Sequence, residues 1–318
     1  MHTWLFIQDK LNASIPVILL YVLHSRGSSP GRQGFKMAVA ADHSFCGSIG
    51  GGIMEHKFVE MAKAQLTHKA GTAGTFRQVH DKEPGNNKSG MICSGEQTVF
   101  LYRLQSTDLE FINALIISGE QCRNGSLVLS NNGLLFTHEV PAKNFHFQQI
   151  DETAFTLTEK TGYKNQLYII GGGHCALAFS KLMSSMDFYI RLYEEREGLN
   201  TVQQNSYAHE KHLVDSYADL RNIIPGGENV FVVIMTFGYR TDDTALRALL
   251  HQTYKYIGVL GSSSKMKKMF TVYRQEQIAP SLLEKIKTPI GIAIKSQTPE
   301  EIAVSIAAEI IAVKNADQ

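Results

Sequence analysis

The hydrophobic pattern of this chain changes style near Gln166. Before that point, short apolar stretches are separated by turn-forming residues. Trp4, Leu5, Ile7 and Leu11 recur on one side of a helix expected over residues 3–13. Pro16 to His24 is rich in aliphatic and β-branched residues and predicts a buried strand. The turn residues Gly27-Ser28-Ser29-Pro30-Gly31 follow, then strands are expected over Lys36 to Ala41 and Phe45 to Ile49. Ile53, His56, Val59, Glu60 and Met61 have helical spacing, so a helix over Ile53 to Gln65 opens just after three glycines. Thr75 to His80 and Gln97 to Leu104 read as strands, with a polar loop, Asp81 to Gly90, between them. Residues 108–160 read as a helix followed by short strands and turns.

From Gln166 the style is that of a parallel sheet. Leu167-Tyr168-Ile169-Ile170 is a continuous apolar run, as in a strand covered on both faces. His174 to Met183 is helical, and Tyr189 to Tyr193, Val230 to Met235 and Tyr256 to Leu260 are further strands separated by helical segments. That alternation predicts βαβ units. Thr298-Pro299-Glu300-Glu301 opens the last helix with a threonine cap, a first-turn proline and a glutamate three residues after the cap.

A chain of 318 residues exceeds one ordinary core, so two domains are expected, residues 1–160 and 161–318. The expected class is α/β: a C-terminal Rossmann-like parallel-sheet domain and an N-terminal α+β domain. The net charge of +1, with no basic stripe interleaved with aromatics, argues against nucleic-acid binding. The apolar run Ile15 to Leu23 is far shorter than the roughly 20 residues of a membrane helix. Asp9 and Lys10 precede it and no small-residue cleavage pattern follows it, so a signal peptide is not expected either. The cytoplasm is the expected location. Cys46, Cys93, Cys122 and Cys175 are scattered without C-x-x-C spacing, which argues against a zinc knuckle and a disulfide framework.

Three segments carry candidate chemistry. Gly171-Gly172-Gly173-His174-Cys175-Ala176 fits G-x-G-x-x-A between a strand and a helix, and Glu194-Glu195 ends the next strand. Glycines admit backbone close to a pyrophosphate, and a helix N-terminus stabilises its charge. Glu194 would accept hydrogen bonds from ribose hydroxyls. The same residues also suit a tight strand-to-helix turn with no ligand. Arg196 either favours a 2′-phosphate or pairs with a neighbouring glutamate. Gly47 to Gly52 likewise ends a strand and opens a helix, and Arg26, Ser28 and Arg32 lie on a second loop able to converge with it. Cys93, in Ser89 to Glu96, either coordinates a soft metal or is a buried inert thiol. Gly261-Ser262-Ser263-Ser264-Lys265 is expected to wall the pocket beside Gly171. Asp242 and Asp243 suit a helix start.

Together these segments resemble the xanthine dehydrogenase accessory family of the XdhC/CoxI type. The resemblance rests on "SRGSSPGRQGFKMAV", "GSIGGGIMEH" and "MICSGEQTVFLYRL" in the first half. In the second half it rests on "LYIIGGGHCALAFSKL", "LYEER", "VVIMTFGYRTDDTALRALL", "YIGVLGSSSKMKKM" and "TPEEIAVSIAAEIIA". It implies a protein that binds the molybdenum cofactor, shelters it during sulfuration, and delivers it to a molybdenum hydroxylase without becoming part of that enzyme. The implied partners are that client, of xanthine dehydrogenase type, and a cofactor sulfurase; a homodimer is also implied. By position, Arg26, Ser28, Gly50, Gly51, Gly52 and Glu55 fall in the family's N-terminal loops, and Cys93 is the candidate molybdenum ligand. Gly171, Gly173, His174, Glu194 and Arg196 are the expected nucleotide-end contacts, and Arg32 a second clamp. Ser94 and Lys295 depart from the family pattern, each placing a side chain where glycine is expected. The alternatives are an NAD(P)-dependent oxidoreductase, with acid/base candidates His174, His212, Tyr239, Asp242 and His251, and a degenerate member that binds only a partner protein. The N-terminal loops with Cys93 and the Gly171 loop are read as two halves of one binding cleft.

Overall fold

The computed structural model describes residues 1–68, 73–80, 95–151 and 154–316. Cys93, Ser94 and the expected loop Asp81 to Gly90 lie outside the described residues. The chain divides into two compact units, Met1–Gly162 and Tyr163–Gln318.

The first unit runs α1 (His2–Asn12), β1 (Val17–Gly27), β2 (Lys36–Ala40), β3 (Phe45–Ser48), α2 (Gly52–His68), β4 (Ala73–His80), β5 (Gly95–Arg103) and α3 (Asp108–Glu120). It continues with β6 (Gly125–Ser130), β7 (Gly133–Thr137), β8 (Phe145–Gln149) and β9 (Phe155–Thr161). A five-stranded antiparallel sheet has the order β3-β2-β1-β5-β4, and a four-stranded one the order β7-β6-β9-β8. The apolar run near the N-terminus is therefore the central strand β1. It is apolar without alternation because both of its faces are covered. Val17, Leu19, Tyr21 and Leu23 join a core with α1, α3 and the smaller sheet, while Ile18, Leu20 and Val22 meet Phe58, Val59, Ala62 and Leu66 of α2. One buried polar link crosses the first core. Tyr21 donates to Glu159 Oε2 at 2.5 Å, and Lys36 Nζ lies 3.1 Å from the same oxygen, so the carboxylate is both paired and hydrogen-bonded.

The second unit runs β10 (Asn165–Ile170), α4 (His174–Met183), β11 (Phe188–Glu194), α5 (Asn200–Gln204), β12 (Glu210–Leu213) and α6 (Leu220–Ile223). It continues with β13 (Gly227–Ile234), α7 (Tyr239–Leu249), β14 (Tyr254–Val259), α8 (Ser263–Gln275), α9 (Pro280–Leu283), β15 (Ile286–Lys287) and α10 (Pro299–Asn315). All six strands are parallel, in the order β12-β11-β10-β13-β14-β15. This is the order of doubly wound dinucleotide-binding sheets, with its switch point between β10 and β13. Leu167 and Ile169 face α4 and α10, and Tyr168 and Ile170 face α7 and α8. Thr298 and Glu301 cap α10 reciprocally, Thr298 Oγ1 accepting from Glu301 N and Glu301 Oε2 from Thr298 N, both at 3.2 Å. Among the described residues no helix is long and apolar enough to cross a membrane.

Candidate functional site

In the second unit the carboxyl ends of β10, β11 and β13 surround a cleft of about 650 Å³. Gly173, His174, Arg196 to Thr201 and Met235 to Phe237 line it. The glycine loop fits there for three separate reasons. Gly171 has φ +101°, donates to Tyr193 O at 2.8 Å, and leaves no room for a Cβ, which would sit 2.5 Å from Met235 O. Gly172 is wedged against Val202, where a Cβ would be 2.2 Å from Cγ2. Gly173 caps α4 with extended backbone, and a Cβ there would meet nothing within 4 Å. The first two glycines shape the turn, and the third leaves a bare face toward the cleft. Ala176, the small residue closing the fingerprint, is fully buried where α4 crosses the sheet. No side chain among the described residues caps α4, so its first amides and exposed His174 face open space.

Glu194 is turned inward. It is 2% exposed, and its two oxygens receive six hydrogen bonds. Oε2 accepts from Gly172 N at 2.7 Å and Arg196 Nη2 at 2.9 Å. Oε1 accepts from the amides of Glu195 and Arg196, from Arg196 Nε at 2.9 Å, and from Tyr217 Oη at 3.2 Å. Burial pushes this carboxyl up, but the bonds from Arg196 and Gly172 outweigh it and hold the pKa at about 2. The acidic residue expected to receive ribose hydroxyls thus braces the glycine loop, and of the two roles open to Arg196 the geometry has the pairing with a glutamate. Thr201 Oγ1 donates to Gly172 O and holds the loop from the other side.

The oxidoreductase candidates do not gather at this cleft. His174 lines it, but Asp242 is fully buried, accepting from Thr236 N and Oγ1 and paired with Lys265. His212 stacks on Tyr193 and bonds Glu210 at 2.8 Å. Tyr239 begins α7, and His251 lies beyond its far end. Gly261 to Lys265 follows β14 on the expected edge, yet it does not line the cleft. Lys265 is drawn to Asp242, which ties this loop to the first turn of α7 instead.

In the first unit the two expected loops meet backbone to backbone. A Cβ on Gly31 would be 2.1 Å from Ile49 O, and one on Gly50 would be 2.5 Å from Gly31 N. Ser29, buried below them, donates to Gln97 at 2.9 Å. Gly50, Gly51 and Gly52 all have positive φ, +127°, +76° and +71°, and the turn they make brings the Ile49 and Gly51 amides to one point, while Gly50 N donates to Ser48 Oγ at 3.1 Å. That nest already holds an anion. Glu55 Oε2 accepts from Ser48 Oγ at 2.6 Å, Ile49 N at 2.8 Å and Gly51 N at 3.0 Å. Burial raises its pKa, but these bonds outweigh it and keep the carboxyl below its ordinary range. Ser28 and Arg26 are exposed at the rim, and Arg26 makes no side-chain hydrogen bond among the described residues. Arg32, also exposed, donates to Gly27 O at 3.1 Å.

Lys295 is exposed with φ +57°, a left-handed conformation that favours glycine, so its departure from the family pattern falls on a position with a backbone reason for glycine. Sequence reasoning missed Phe237, which is 82% exposed at the end of β13, and Thr201. The only signal for Phe237 was an aromatic beside Gly238, directly after a buried strand.

Two family models match this chain in order. The model described as the XdhC and CoxI family matches residues 11–77, and the XdhC Rossmann domain matches residues 167–310, together about two thirds of the chain. The chain belongs to the XdhC/CoxI family. It is similar to the Escherichia coli K12 protein YqeB, 25% identical over 301 residues, covering 94% of this chain and 44% of that protein. It is also similar to a Bacillus subtilis 168 protein, a probable xanthine dehydrogenase component, 25% identical over 167 residues, covering 52% of this chain and 48% of that protein. The chain thus spans about half the length of these curated relatives. A crystal structure from Bacillus halodurans described as a xanthine dehydrogenase matches with TM-score 0.72 over 99% of this chain and 97% of that one. At 23% identity it shows the shared fold.

Proposed function

We propose that this protein is a maturation factor that holds the molybdenum cofactor for a xanthine dehydrogenase-type hydroxylase. The ordered match of both family models carries this reading. The site chemistry supports it. The cofactor has a phosphate and a flat fused ring, and the second-unit cleft offers a bare Gly173, an uncapped helix start, Arg196 and an exposed aromatic. The first-unit nest suits a phosphate less directly, because Glu55 fills its amides; Arg26, Ser28 and Arg32 at its rim are the groups that would reach an incoming anion. When bound, the group supplies its molybdenum centre. The protein's share is to hold the phosphate and shield the ring. Cys93 is the proposed metal ligand.

The test is retention. Purified protein is incubated with cofactor released from a molybdenum hydroxylase, desalted, and assayed for molybdenum and pterin. Near-stoichiometric retention that falls sharply in Cys93→Ala is expected; no retention by the wild type retires the proposal. Transient association with the client hydroxylase and with a cofactor sulfurase, and a homodimer by light scattering, belong to the same reading. The strand order and glycine loop also favour a second reading, an NAD(P)-dependent oxidoreductase. Titration calorimetry with NAD(H) and NADP(H) separates the two, since absence of heat with all four retires the second.

A further inference from the structure

Phe237 is the most exposed large apolar side chain among the described residues, and it sits on the wall of the cleft rather than on a convex face. An isolated aromatic left in water at the switch point of a doubly wound sheet contributes nothing to the core. Phe231 and Tyr256, on the neighbouring strands β13 and β14, are buried and stack on one another. The guanidinium of Arg196 lies 5.3 Å from the Phe237 ring centroid, and its forked bond to Glu194 restricts where it can turn. The guanidinium lies over one face of the Phe237 ring, and the ring, still 82% exposed, keeps a face backed by that cation as a stacking surface for a flat, electron-rich ring. Gly173 and the open start of α4 line the same cleft, at a place suited to a phosphate borne by that ring.

We infer that Phe237 and Arg196 form a ring-stacking platform, and that the second-unit cleft takes a phosphate-bearing planar heterocycle, a purine nucleotide or a pterin phosphate. The inference rests on the reading that this cleft is a ligand site, and adds which part of the ligand it grips and with which residues. Glu194 keeps its bonds to Gly172 and Arg196 in this arrangement, so ring stacking rather than ribose-hydroxyl recognition supplies the selectivity. A ligand of the same charge without a ring, such as ribose 5-phosphate, gains nothing from Phe237.

The experiment uses the full chain and three probes: AMP, neopterin monophosphate and ribose 5-phosphate, each titrated against wild type, Phe237→Ala and Phe237→Tyr. AMP or neopterin monophosphate is expected to bind wild type, to weaken about tenfold or more in Phe237→Ala, and to stay within about twofold in Phe237→Tyr. Ribose 5-phosphate is expected to bind weakly and equally to all three. Which ringed probe binds identifies the source of the ring. Phe237 is almost fully exposed, so its truncation leaves the fold intact, and an unchanged melting temperature checks this. Equal affinity of wild type and Phe237→Ala for both ringed probes overturns the platform, as does failure of both to bind wild type. Retention of released molybdenum cofactor by wild type alongside either failure would leave the maturation role standing and remove only the platform.

Discussion

The two glycine loops start from one local pattern, a strand running through glycines into a helix, and reach opposite states. In the first unit Gly50, Gly51 and Gly52 all take positive φ, and the resulting nest is closed by Glu55 from the helix it opens. In the Gly171-Gly172-Gly173 loop of the second unit only Gly171 is left-handed, Gly172 is held by a carboxylate from the neighbouring strand, and Gly173 and the α4 amides stay open. Both loops employ an internal carboxylate. One carboxylate fills the binding surface, and the other braces the turn behind it. A glycine-rich strand-to-helix turn therefore signals an anion-compatible backbone, while the nearest carboxylate decides whether a ligand can use it.

The largest test of this contrast is a set of single methyl groups. Gly171→Ala combines a left-handed φ with a 2.5 Å clash against backbone and should destabilise by about 3 kcal/mol. Gly51→Ala meets nothing and carries only the conformational cost, about 1 kcal/mol. Gly173→Ala should stay within about 0.5 kcal/mol, its effect falling on ligand binding. Thermal melts should rank them in that order; a Gly173→Ala loss as large as that of Gly171→Ala would mean the third glycine is structural after all.

Next is Glu194→Gln. It weakens a buried, forked ion pair, and a loss of roughly 2 kcal/mol is expected once the half-exposed arginine is discounted. The pH dependence follows from a folded pKa of about 2 against an ordinary value of 4.5. Between these values the unfolded chain binds the proton that the folded one refuses. The stabilisation from Glu194 is thus complete above about pH 4.5 and disappears as the pH falls toward 2. Urea melts from pH 7 to pH 3 should show wild type losing part of its margin over Glu194→Gln; a constant margin would contradict the assigned bonds.

Glu55→Ala should cost about 1 kcal/mol, the scale of a lost helix-start interaction. It should also create a new response, with inorganic phosphate raising the melting temperature of the variant more than that of wild type. Equal responses would show that Glu55 does not occupy the nest. The smallest effect is a gain. Lys295→Gly relieves a left-handed lysine and should stabilise by about 0.5 kcal/mol, the relief being partly offset by the added freedom of glycine in the unfolded chain.

Much of the fold was legible because it is local or strongly periodic. His174–Met183 was read at its observed bounds, and Thr298 and Glu301 cap α10 as their spacing implied. β12 and β15 were missed, being short strands of four and two residues at the two edges of the sheet, where no apolar run marks them. At the candidate site, Glu55 and Glu194 were singled out from sequence as groups for a ligand; of their partners only Arg196 was offered, as one of two alternatives. Glu55 turns back on its own helix start because the glycine turn presents the Ile49 and Gly51 amides to it. Glu194 meets Gly172 across 22 residues because β10 and β11 pair in parallel.

The sequence by itself determined the element types, the α/β class and the places where backbone could come close to an anion. Those depend on side-chain period, cap residues and glycine, all of which act within a few residues. Only the tertiary structure decided which amides remain free, that Arg196 pairs with Glu194, that Lys265 turns to Asp242, and that Phe237 stands in the cleft with a guanidinium beside it. The Arg196 pair is local, and the fold only chose between the two roles its spacing allowed; the others depend on strand order and on distances between segments further apart in the chain, which local spacing does not encode.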